Sequence, residues 1–174
     1  MKTHRLLLLA LPGLVAPLAL LAADIAKIPA RTEVIFSDPS NFTDVKDRDL
    51  PSNNGRDEIL GRIREFIVER AEKLLPPGQK LTVTFTDIDL AGEYEPWRGP
   101  QYSDVRIVKA IYPPAFKFSY KITDGAGHVV KSGNEDIRDL SFDLRLTMDR
   151  QDSLRYEKDI LGDWLRSKVG AQNK

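Results

Sequence analysis

Residues Phe116–Thr123 alternate without a break. Phe116, Phe118, Tyr120 and Ile122 are apolar, and Lys117, Ser119, Lys121 and Thr123 are polar. Successive side chains of a strand point to opposite faces, so one face of this segment lies on a core and the other meets water. Parallel strands covered on both faces read instead as unbroken apolar runs. Asp124-Gly125-Ala126-Gly127 then supplies a turn, and His128–Ser132 returns as the partner strand. A hairpin with one wet face excludes an all-helical bundle and argues against a fully covered parallel sheet.

The rest of the chain must complete that sheet. Thr32–Phe36 is β-branched and aromatic, and its run Val34-Ile35-Phe36 predicts a strand buried on both faces. Lys80–Leu90 predicts a second strand with Leu81, Val83 and Phe85 on one side. Its phase then flips, with Ile88 and Leu90 apolar and Asp87 and Asp89 polar. A bulge or strand end is expected near Thr86–Asp87, since a straight strand would carry both aspartates onto the apolar face. Val105–Ile111 predicts another strand, ended by Tyr112-Pro113-Pro114. Leu140, Phe142, Leu144 and Leu146 alternate and are read as a strand, although Leu140, Leu144 and Met148 also fit one helical face.

Two helices stand out. Over Arg56–Leu75, Ile59, Leu60, Ile63, Phe66, Ile67, Ala71, Leu74 and Leu75 recur at three- and four-residue steps. Asn54 is placed to cap this helix, and Pro76-Pro77-Gly78 ends it. Leu154–Val169 buries Ile160, Leu161, Trp164 and Leu165, with Asp152 or Ser153 as cap. Helices and strands do not alternate, so the expected class is α+β. The reading is a single domain, with a mainly antiparallel sheet of about five strands and two helices on one face.

The first residues read as an address. Met1–Arg5 is basic, Leu6–Leu21 is uncharged and Leu-rich, and Ala22-Ala23 precedes the first acid, Asp24. These are the three parts of a secretory signal peptide. Residues 1–23 are assigned to it and 24–174 to the domain, with Ala22 as an alternative cut. A membrane anchor is the competing reading, but Pro12, Gly13 and Pro17 interrupt a stretch already short for a span. The expected location is periplasmic, with no membrane span after cleavage. The chain has no Cys, which excludes disulfides, thiolate metal sites, iron–sulfur clusters, cysteine nucleophiles and a lipid-bearing cysteine. Its 26 basic and 26 acidic residues balance, and loss of Lys2 and Arg5 leaves a net charge of −2. Nothing in that charge draws nucleic acid.

Chemistry has three candidate sites. Asp47-x-Asp49 with Glu58 mimics part of a calcium loop, but Pro51 and Ser52 stand where an oxygen ligand and a glycine belong. Asp87-x-Asp89 is similarly incomplete, and these two aspartates are the candidate metal ligands. The second site is Glu93–Tyr102, where Tyr94, Trp97 and Tyr102 sit with Glu93, Glu95 and Arg98. Flat aromatic faces beside carboxylates suit sugar or peptide recognition, and paired carboxylates serve in glycoside cleavage. Packing over an open sheet edge is the structural alternative, with Arg98 paired to a nearby acid. The third is His128, beside a turn. It has no Gly-x-Ser-x-Gly elbow anywhere in the chain to serve it. Gly125-Ala126-Gly127 lies in a hairpin and is no phosphate loop. Asn41-Phe42-Thr43 is a formal glycosylation triplet.

Several local patterns resemble one bacterial family of secreted proteins, catalogued as domain of unknown function 3016. They are Phe36-Ser37-Asp38-Pro39, Phe42-Thr43-Asp44, Thr84-Phe85-Thr86-Asp87-Ile88, and Ala91-Gly92-Glu93-Tyr94-Glu95-Pro96-Trp97. Val105-Arg106-Ile107, Ile111-Tyr112-Pro113-Pro114 and Leu154-Arg155-Tyr156-Glu157-Lys158 with Trp164 complete the set. The resemblance implies a Gram-negative periplasmic setting. It carries no established activity, so no catalytic residue transfers.

The expected role is a non-catalytic periplasmic binding or envelope-associated module, without a cofactor. Loops 37–55 and 93–102 would be its contact surface, with Tyr94, Glu95, Trp97, Arg98 and Tyr102 touching the ligand. A periplasmic protein or a cell-envelope component is the expected partner. The alternative is a carboxylate-based hydrolase or divalent-metal protein using Asp87, Asp89, Glu93 and Glu95.

Overall fold

The structure is a computed structural model, and it describes residues 30–45, 52–146 and 149–170. The expected leader 1–23 and the Asp47-x-Asp49 motif lie outside them. In chain order the elements are β1 (Thr32–Phe36), α1 (Ser52–Leu74), β2 (Lys80–Asp89), β3 (Glu93–Tyr94) and β4 (Arg106–Ile107). β5 (Ala115–Thr123), β6 (Val129–Arg138) and α2 (Arg155–Lys168) follow. The main sheet has the order β1-β2-β5-β6, and β3-β4 forms a separate two-stranded ribbon. β1 runs parallel to β2, while β2-β5 and β5-β6 are antiparallel. The expected α+β domain is therefore present, with four strands in the main sheet and two in the ribbon.

The alternation of β5 positions the whole core. Phe116, Phe118, Tyr120 and Ile122 are buried, and Lys117 and Lys121 face water. Phe85 on β2 sits at the centre, with its ring 4.9 Å from Phe118, 6.3 Å from Phe116 and 5.6 Å from Phe36. α2 lays Trp164 edge-on across Phe118 and Tyr120, at 4.7 and 5.5 Å. α1 contributes Ile59, Leu60, Ile63, Ile67 and Ala71, the stripe its periodicity predicts. Both helices cover the same face, and Thr86, Ser132, Asn134 and Asp136 stay exposed on the other.

That one-sided covering corrects the expectation for β1. Glu33 and Ile35 are exposed, because no layer among the described residues lies beyond the sheet on that side. The phase flip in β2 is a bulge, with the register to β5 shifting between Phe85 and Asp87. The bulge keeps Phe85 and Ile88 both buried. β6 continues well past Ser132 to Arg138. Its outer half, Ser132–Arg138, is polar enough at a sheet edge to read as loop.

Other local readings change as well. The strand expected over Val105–Ile111 shrinks to Arg106–Ile107, with Val105, Val108 and Ile111 exposed. The strand expected over Leu140–Leu146 is a short 3-10 turn at Phe142–Leu144. Only Phe142 enters the core, and Leu140, Leu144 and Leu146 face solvent. α1 starts at Ser52, so Asn54 lies inside its first turn and not ahead of it. The loop after β1 is correspondingly shorter than 37–55, and it carries a 3-10 turn at Pro39–Asn41. Neither Asp152 nor Ser153 is the cap of α2: the N-cap position is Leu154, with no side-chain cap bond, and Asp152 sits two residues earlier, accepting the Leu154 N–H at 2.9 Å. At the other end of α1, Arg31 closes the helix by donating to the carbonyls of Glu72, Leu75 and Pro76.

Candidate functional site

Between β2 and β5 the chain leaves the sheet for residues 90–114. Gly92 turns it out with φ of 84°, and a Cβ there would meet the Ile107 carbonyl oxygen at 2.8 Å. β3 and β4 then pair through Glu93–Ile107 and Tyr94–Arg106, making a narrow stem. Beyond the stem, Pro96–Arg98 and Pro100–Tyr102 form two 3-10 turns joined by Gly99.

Glu95 holds this excursion together. It is 1% exposed, and its carboxylate accepts from Lys109 Nζ at 2.5 Å and from the Tyr112 hydroxyl at 2.9 Å. Arg98 closes an ion pair on the other oxygen. The Lys109 ammonium foremost, helped by Tyr112 and Arg98 against the cost of burial, keeps this carboxyl below the usual range. An ionised, triply held carboxylate beneath a loop fixes the loop's shape. Trp97 is thereby displayed at 71% exposure, with Tyr102 also exposed.

The sequence candidates therefore divide. Trp97, Arg98 and Tyr102 lie at the surface. Tyr94 is buried, with the Arg106 guanidinium 4.6 Å from its ring centre. Glu95 is the anchor under the loop and faces no solvent.

The first loop reaches the same region. Asp44 bridges to Asp89 alongside β2, and its carboxylate receives Arg106 Nη1 at 2.7 Å. Thr43 donates its N–H and hydroxyl to Asp87 at 2.7 and 2.9 Å. So residues 42–45 reach the stem at Arg106, a proximity that strand order alone decides.

The carboxylates proposed for metal or acid–base work are each engaged separately. Asp87 holds Thr43, Glu93 accepts the Tyr94 N–H, and Glu95 holds its three partners. Asp89 is half-buried with Arg138 at 3.6 Å. Burial first, then Asp44, Asp87 and Glu93, raise its carboxyl above the ordinary range, against the pull of Arg138. Among the described residues no three His, Asp or Glu side chains gather as a metal site. His128 is exposed in its turn, its Nδ1 3.3 Å from Asp124 Oδ2.

Sequence reasoning missed Glu157. It is 1% exposed on α2, and its Oε1 accepts the Ala91 N–H at 2.7 Å, tying α2 to the base of the excursion. A signal existed, since Leu154, Glu157, Leu161 and Trp164 fall on one helical stripe, and a charge there interrupts the apolar pattern. Arg106, Lys109 and Tyr112 were invisible as site residues because their partners are distant in sequence.

Residues 30–167 match the model of one family, described as Protein of unknown function (DUF3016). The chain belongs to this family. Its Tyr94-Glu95-Pro96-Trp97 segment is thus the Glu95 anchor together with the indole it displays. Comparison with curated proteins and with solved structures gave no match. Among the described residues no helix is long and apolar enough to cross a membrane.

Proposed function

We propose that the protein is exported to the periplasm and acts there as a non-catalytic binding module, with the 93–102 loop as its contact surface. The observation carrying this reading is Trp97, an indole left 71% exposed on a loop made rigid from beneath by a buried carboxylate. Large aromatics are costly to leave in water, and a pre-ordered one loses little entropy on binding. Among the described residues eleven large apolar side chains are exposed, and five of them lie between Trp97 and Ile111, which sets this excursion apart as the adhesive part of the described surface. The basic, apolar and small-residue parts of residues 1–23 support export. The separate engagement of Asp87, Asp89, Glu93 and Glu95 favours binding over carboxylate catalysis.

Two measurements test this. Residues 1–30 fused to a reporter active only outside the cytoplasm should give activity. The purified protein should bind isolated envelope fractions, either sacculi or membrane vesicles. Trp97→Ala should weaken that binding by about 30-fold or more, the loss typical of a central aromatic contact, while leaving the melting temperature unchanged. An inactive fusion would refute export. Envelope binding that is absent, or indifferent to Trp97, would refute the contact surface.

A further inference from the structure

Beneath the stem lies a cavity of about 190 Å³, lined among the described residues by Glu157, Asp104, Tyr94, Ala91, Arg62 and Arg106. Glu157 Oε1 is held by Ala91, but Oε2 is buried with no hydrogen-bond partner among the described residues. A buried carboxyl oxygen without a donor is costly, and a binding site is one reason for a fold to keep it. The charges in the lining decide what would complement it. Arg106 is neutralised by Asp44 at 2.7 Å, and Arg62 by Asp152 at 2.5 Å. Arg155, the next cation along α2, stacks on the Tyr156 ring 4.3 Å away, outside the lining. The carboxyls of Glu157 and Asp104 have no cation paired to them among the described residues. An anion would find no uncommitted positive charge among the described residues here. A small cation with N–H donors would find two acceptors and the apolar walls of Ile59, Leu90 and Leu154 for a short alkyl part.

We propose that this cavity is a binding site for a small primary ammonium group, with Glu157 as its central acceptor and Asp104 as its outer one. The site does not use Trp97, and Tyr94 is the one residue of the 93–102 loop that lines it.

The test is thermal unfolding of the protein at pH 8 with 100 mM ethylammonium chloride against equal sodium chloride. Tetramethylammonium, sodium acetate and calcium chloride serve as comparison probes. Ethylammonium should raise the melting temperature by about 3 °C or more. The rise should vanish in Glu157→Gln, diminish in Asp104→Asn, and persist in Trp97→Ala. If Glu157→Gln does not fold, Asp104→Asn, at an exposed position, decides. The proposal is overturned by no rise with ethylammonium, or by an equal rise with tetramethylammonium, which has no N–H to donate. A larger response to acetate or calcium overturns it too, as does a rise that Glu157→Gln and Asp104→Asn leave intact.

Discussion

Two buried glutamates show how neighbours set the behaviour of one side-chain type. Glu95 is surrounded by donors and stays ionised, whereas Glu157 receives a single N–H and is pushed above its ordinary value of 4.5 by burial, against Ala91, Arg106 and Arg155. Their signs in stability are opposite. A raised carboxyl binds its proton more tightly in the folded chain, so stability is full below the unfolded value and declines as pH climbs through the folded one. Glu157→Gln keeps the acceptor for Ala91 and removes that decline. It should melt above the parent at pH 8 and converge on it near pH 4, by scanning calorimetry. Glu95 contributes stability above its unfolded value, and that contribution is lost as pH falls through its lower folded value. Glu95→Ala should release the loop at neutral pH, and trypsin cleavage after Arg98 should speed up by about tenfold or more. An unchanged cleavage rate would show that the loop keeps its shape without the anchor.

At the scale of elements, the 90–114 excursion depends on its exit. Gly92 combines a left-handed backbone with a close approach to Ile107, its N–H donates to Tyr112 O, and its carbonyl accepts Arg106. Gly92→Ala should therefore cost about 1–3 kcal/mol, since strain and a steric clash coincide. Urea unfolding would show it as a lower midpoint at unchanged slope. A loss below about 0.5 kcal/mol would show that the stem adapts. The elements differ in how far the sequence announced them. α1, α2, β2 with its bulge, and β5 were legible, because each carries its burial period in its own residues. β4 and the 140–146 segment were not. Leu140, Leu144 and Leu146 alternate like a strand yet face solvent, since no element among the described residues offers them a surface.

At the scale of the whole molecule, the sheet is covered on one face and open on the other, and the 42–45 and 90–114 segments gather at one end of it. That gathering pairs Asp44 with Arg106 and Thr43 with Asp87, and it spreads the acidic residues among separate partners. Stability should accordingly be indifferent to metal. EDTA, or millimolar Ca²⁺, Mg²⁺, Mn²⁺ or Zn²⁺, should leave the melting temperature within about 1 °C, whereas an ion at 100 times its dissociation constant would add about 2.7 kcal/mol. A clear shift with one ion, lost in Asp87→Asn or Asp89→Asn, would restore the metal reading. The two tryptophans offer a direct check of the architecture. Trp164 is buried between β5 and α2 while Trp97 is exposed, so a soluble quencher should reach one indole and not the other.

The sequence by itself determined the α+β class, the amphipathic faces of both helices, the bulge in β2 and the segment that carries the exposed aromatics. These are local properties, fixed by side-chain periods of 2 and 3.6 and by glycine and proline punctuation. The tertiary structure alone decided that Glu95 lies under its loop and Trp97 on top of it, and that Asp44 meets Arg106. It alone placed Glu157 in a cavity with one oxygen unanswered. Each of these joins residues far apart along the chain, and the energy of such a contact depends on burial and on a partner's position, neither of which is present in either residue's own neighbourhood.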